Sequence, residues 1–116
     1  MNLEQLELTA MTMATKGKGL LAADESTGTI KKRLDTINTE STEINRRKYR
    51  DMLFTAKGME EYISGVIMYD ETIRQSTMSN DDISFSKFLS DQGIVPGIKV
   101  DMGAKPLSCF DKEFIT

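Results

Sequence analysis

The chain has 116 residues, a formal net charge of −3, 39% apolar and 28% charged residues, the make-up of one small globular domain or part of a larger one. Mild acidity gives no electrostatic case for nucleic acid or an anionic membrane as a partner, and no apolar run approaches the roughly 20 residues needed to span a bilayer. No histidine and a single cysteine, Cys109, leave neither an internal disulfide nor a His/Cys zinc site within the chain, and the opening Met1-Asn2-Leu3-Glu4 lacks the basic flank and apolar core of an export signal, which fits a reducing, cytoplasmic compartment.

Leu3, Leu6, Ala10 and Met13 recur at helical spacing, which predicts an amphipathic packing helix over 3–15, outside the sheet and stopped by Gly17. Leu20 to Ala23 is a short apolar run between Gly19 and Asp24, expected of a strand covered on both faces. Ser26, Thr27, Gly28 and Thr29 supply turn chemistry and N-cap candidates for a helix over about 29–37, with Ile30 and Leu34 four apart and Lys31, Lys32 and Arg33 making its first turns basic. This junction gathers a carboxylate at a strand's end, hydroxyls at a helix start and nearby cations. Two readings stand: Asp24 or Ser26 merely caps the helix, or free backbone N–H groups and Arg33 hold a phosphate while Asp24 moves protons. The spacing is neither a Walker A loop nor G-x-G-x-x-G.

A polar connection runs from Asn38 to Thr42, where Ser41 or Thr42 caps a helix over 43–56 with Glu43 in its first turn. Ile44, Tyr49, Met52, Leu53 and Ala56 share one side of it; Arg46, Arg47, Lys48 and Arg50 cover the rest and read as a solvated face, with lining a site or a subunit contact as the alternatives for Arg46 and Arg47. After the Lys57-Gly58 break, Ile63 to Tyr69 is apolar and β-branched, a second strand. Asp70, Glu71 and Thr72 follow at its end, as local cap and charge partner or as further site carboxylates. A loop falls near 76–80, and Phe85, Phe88 and Leu89 predict a short helix ending at Gly93. The third strand is expected at about 98–101, with Pro96 before it or at its first residue, because proline cannot donate to a ladder. Lys99 then stands inside an apolar strand, a costly place unless an anion meets it; snorkelling to the surface is the alternative. From Gly103 onward the chain reads as loop.

Three strand-to-helix units in succession predict a parallel sheet with helices outside, and in such folds ligands bind at the carboxyl ends of the strands. An eight-unit barrel takes about 250 residues, so the expectation is α/β, the N-terminal helix and about three βα units of a TIM (β/α)8 barrel, with residues 1–116 the N-terminal portion of a single barrel domain. Such a piece alone carries open sheet edges and an uncovered inner face, so poor solubility or molten behaviour is expected of it.

Leu-Leu-Ala-Ala-Asp-Glu-Ser-Thr-Gly-Thr-Ile-x-Lys-Arg-Leu, from Leu20 to Leu34, resembles the first-strand signature of class I fructose-bisphosphate aldolases, the metal-free, Schiff-base kind. Asn38-Thr39-Glu40 with Asn45-Arg46-Arg47-x-Tyr49-Arg50, Gly65-Val66-Ile67-Met68-Tyr69-x-Glu71-Thr72, and Gly97-Ile98-Lys99-Val100-Asp101-x-Gly103 follow in the family's order. The resemblance implies reversible cleavage of fructose 1,6-bisphosphate to dihydroxyacetone phosphate and glyceraldehyde 3-phosphate in glycolysis, through a lysine iminium as electron sink. It implies no cofactor, a sugar bisphosphate as the partner, and a homo-oligomer when full length. Position by position, Asp24 corresponds to the active-site aspartate that helps direct proton transfer. Ser26 and Thr29 correspond to hydroxyls near one phosphate, Arg33 to the phosphate-end arginine, and Lys99 to the catalytic-pocket lysine that supplies positive charge. Met102 stands where a lysine is common in the family, and Asp70 where many relatives have histidine. The Schiff-base lysine, the acid/base glutamates and the second phosphate site are assigned to later strands absent from this chain. A non-catalytic interaction module retaining an aldolase-like part, and a transaldolase-like barrel, are the other readings.

Overall fold

The computed structural model describes residues 2–79 and 82–116. Its centre is a three-stranded parallel sheet in the order β1 (Gly19–Ala23), β2 (Ile63–Met68), β3 (Val95–Ile98). The registers Ala23↔Met68 and Met68↔Ile98 place the three carboxyl ends level with one another. Period-two alternation then divides the side chains into two faces. Leu21, Ala23, Val66 and Met68 face outward and pack with Phe54, Met59, Phe85, Leu89 and Ile94 in the core. Phe54 and Phe85 meet edge to face, centroids 5.1 Å apart, a favoured aromatic geometry.

Helix α1 (Leu3–Met13) is capped by the Asn2 side chain, and none of its residues is buried. It is two residues shorter than its spacing predicts, and its apolar Leu3 and Leu6 face solvent rather than packing outside the sheet. Its last turn alone is tied down: the Ser64 hydroxyl donates to the Met13 carbonyl at 2.7 Å. Gly65 belongs at this crossing, because a Cβ there would come within 2.9 Å of the Leu20 side chain and 3.3 Å of the Val95 carbonyl.

Helix α2 (Thr27–Asp35) starts two residues earlier than its apolar spacing suggests, because Ser26 is the N-cap and accepts from the Thr29 N–H. Its Ile30 and Leu34 are buried as expected. Helix α3 (Glu43–Phe54) is capped by Thr42, which accepts from the Asn45 N–H at 3.2 Å. Its buried face is not the expected one: Ile44 and Met52 are exposed while Arg50 and Phe54 are buried.

Two short helices, α4 (Met59–Tyr62) and α5 (Asp70–Ile73), flank β2. Of the loop expected at 76–80, Asn80 lies outside the described residues; the segment is pinched shut by Thr77 N–H donating to the Ile83 carbonyl at 2.8 Å. Helix α6 (Phe85–Asp91) is capped by Ser84 and followed by Gly93 at φ +75°.

Strand β3 lies three residues upstream of its expected start, with Pro96 inside it. The Lys99 N–H donates to the Met68 carbonyl at 2.9 Å, so by alternation the amide positions facing β2 are 95, 97 and 99, and Pro96 sits on the free side, where a missing N–H breaks no bond. Lys99 therefore stands just past the strand rather than within it. The stretch after Gly103 is no loop either: β4 (Lys105–Leu107) and β5 (Phe110–Ile115) form an antiparallel hairpin.

Candidate active site

Beyond the ends of the strands the alternation continues, bringing Asp24, Tyr69 and Lys99 to one level of the inner face. Lys99 Nζ lies 3.5 Å from Asp24 Oδ2 and closer still to Asp101. Residues 75 apart in sequence thus meet at one rim of the sheet. The anions that meet this lysine are these two carboxylates, although it stands past the strand and not inside it. The hydrogen bond from Lys99 to Asp101, assisted by the charge of Asp24, raises the Lys99 pKa above its ordinary value, and Asp101 is held below the usual carboxylate range by Lys99 and by the Gly103 N–H. Lys99 is therefore an ammonium at neutral pH, without the free lone pair of an attacking amine.

A cavity of about 540 Å³ opens at this rim, lined by Ser26, Tyr69, Asp70, Lys99, Asp101 and Met102 among others, with Asp24 beside Lys99 rather than in the lining. Ser26 thus has two jobs, capping α2 and lining the cavity; the cap reading and the site reading are compatible. Thr29 is exposed one turn along, its Oγ1 3.2 Å from Ser26 Oγ. Arg33 does not line the cavity. It is ion-paired with Glu25 and donates to the Tyr49 hydroxyl at 3.0 Å, contacts that raise its pKa, Tyr49 foremost.

The arginines of α3 overturn the solvated-face expectation. Arg46 grips Glu71 with two bonds of 2.7 Å and donates to the Ser41 carbonyl. Glu71 is the charge partner expected of it, its pKa lowered chiefly by that bond. Arg47 donates to the Ser76 and Thr77 carbonyls and to Asp82, each at 2.6 Å. Arg50 is 2% exposed and donates to the Ala23 and Glu25 carbonyls at 3.0 and 2.9 Å. It was not among the site residues expected. The signal for it lies in the spacing Arg46, Arg50, Phe54, which puts two arginines in line with an aromatic on one helix face.

Residues 5–116 match the model of the family described as fructose-bisphosphate aldolase class-I. The chain belongs to the class I fructose-bisphosphate aldolase family. All of it aligns, at 51% identity, with 34% of a probable class 1 fructose-bisphosphate aldolase from Xanthomonas campestris. Over 105 residues it is 53% identical to fructose-bisphosphate aldolase 2 of Caenorhabditis elegans, covering 28% of that protein. It superposes with a TM-score of 0.84 and 46% identity on the fructose-bisphosphate aldolase of Plasmodium falciparum, solved with TRAP and a small-molecule inhibitor, over 96% of this chain and 31% of that one. The chain spans about a third of the length of the curated relatives it matches. Its three-stranded sheet with helices on the outer face is part of an aldolase (β/α)8 barrel, as its sequence predicts.

Proposed function

We propose that this chain is the N-terminal portion of a single aldolase barrel domain which, as part of the longer protein, reversibly cleaves fructose 1,6-bisphosphate between C3 and C4. The products are dihydroxyacetone phosphate and glyceraldehyde 3-phosphate, in cytoplasmic glycolysis, and the working enzyme is a homo-oligomer. The observation that carries this reading is Asp24 and Lys99, delivered from two different strands to one rim and 3.5 Å apart, with Lys99 lining a cavity large enough for a sugar phosphate.

The residues divide the work by charge. Asp24 is an acceptor beside the reacting carbons and directs proton transfer. Lys99, kept cationic by its two carboxylates, stabilises negative charge that develops on oxygen. Ser26 and Thr29 offer hydroxyls at the start of α2, where backbone N–H groups favour an anion. Arg33 takes a phosphate by exchanging its single contact with Glu25 for a bidentate one. The attacking lysine belongs to a later strand of the barrel, consistent with the raised rather than lowered pKa of Lys99.

Incubating the full-length protein with dihydroxyacetone phosphate and borohydride tests this. The expected result is a covalent adduct on a lysine other than Lys99, with cleavage activity unchanged by EDTA. A wild-type protein that is not trapped, or whose activity disappears with chelator, rejects the reading.

A further inference from the structure

We propose that Arg50 is a positioning residue for Asp24, an inference that rests on the aldolase reading above. Its Nε–H donates to the Ala23 carbonyl at 3.0 Å and Nη2 donates to the Glu25 carbonyl at 2.9 Å. These carbonyls belong to the residues immediately before and after Asp24. The guanidinium is a planar fork whose donors keep a fixed angle to one another, so it fixes the peptide entering Asp24 relative to the one leaving Glu25.

Packing alone does not account for an arginine here. Arg50 is 2% exposed, and burial lowers its pKa against the pull of Glu25. Among the described residues its only carboxylate partner is Glu25, whose Oε2 lies 3.3 Å from Nη2. That oxygen is buried without a hydrogen bond, while Nη2 donates to the main-chain carbonyl of the same residue. An apolar side chain would fill the same volume without desolvating a charge. What the arginine adds is a two-point grip on the main chain, at a spot where the Asp24 to Lys99 separation of 3.5 Å leaves little slack.

The test uses the full-length enzyme and the variants Arg50→Lys, which keeps the charge and reaches one carbonyl, and Arg50→Gln, which is neutral and reaches one. Borohydride trapping with dihydroxyacetone phosphate counts competent sites, so turnover is expressed per trapped site and a partly folded preparation still gives an answer. The expected result is a fall in kcat of about ten- to a hundredfold per trapped site in both variants, with KM within about threefold of wild type. Unchanged kcat per trapped site, with only a lower unfolding temperature, overturns the inference and leaves the aldolase reading standing. Loss of every trappable site in both variants also overturns it, since Arg50 then serves the fold as a whole. A wild-type protein that does not trap removes the aldolase reading and this one with it.

Discussion

At the scale of single residues, the site is a lysine held between two carboxylates. Replacing Asp24 by Asn keeps the shape and removes the carboxylate that the aldolase reading uses as proton acceptor. Steady-state kinetics of the full-length protein should show kcat reduced about a hundredfold or more. Lys99→Met should cost on the order of a hundredfold through lost charge stabilisation, while borohydride still traps the adduct. If the adduct disappeared with Lys99→Met, the division of roles would be wrong. The meeting of Asp24 and Lys99 was legible because each is a charge next to an apolar strand, although Lys99 was expected inside β3 and stands just past its end. Arg50 was not legible because an arginine on a helix reads as solvated unless something shows that its face is buried. Here the face is fixed by tertiary packing: Phe54, four residues on, is wholly buried against Phe85 and takes Arg50 in with it.

At the scale of elements, α3 is bound to the segments after β1 and β2 through its arginines. Arg46 reaches Glu71 on α5, Arg47 the carbonyls of 76 and 77, and Arg50 the β1–α2 turn. Glu71 is below the usual carboxylate range when folded. Its stabilising contribution is therefore complete above its ordinary value near 4.3 and is lost as pH falls through the depressed folded value. In the full-length protein Glu71→Gln should lower stability at pH 7 by about 1.5–3 kcal/mol. The gap between variant and wild type should close on acidification below about pH 4; denaturant titrations at both pH values check it, and a gap that widened in acid would contradict the assignment. Helices α2, α3 and α6 and strands β1 and β2 were legible from periodicity and caps. Strand β3 was misplaced because a proline in a strand normally argues against one, and here it falls on the side away from β2. The hairpin of β4 and β5 was hidden for two reasons. Every residue of β5 is exposed, so no burial pattern marks it, and its turn uses Cys109 at φ +69°, a conformation usually signalled by Gly or Asn.

At the scale of the whole molecule, the outward face of the sheet is covered and the inward one is not. Leu20 of the inner face remains 52% exposed, and among the described residues β3 has a partner on one side only. The 116-residue chain expressed alone should therefore bind hydrophobic dye and give broad amide NMR signals; sharp, dispersed signals without dye binding would contradict this. The separations along the chain also impose an order of assembly on the site. Arg50 is 27 residues from the Ala23 carbonyl, whereas Lys99 is 75 from Asp24. On a ribosome adding about 5–20 residues per second, Asp24 waits on the order of 4–15 s for its lysine. The arginine is synthesised little more than a third of the way through that interval. On the proposed role of Arg50, a nascent chain has both halves of the grip around Asp24 in hand while the cation that will face it has yet to be translated.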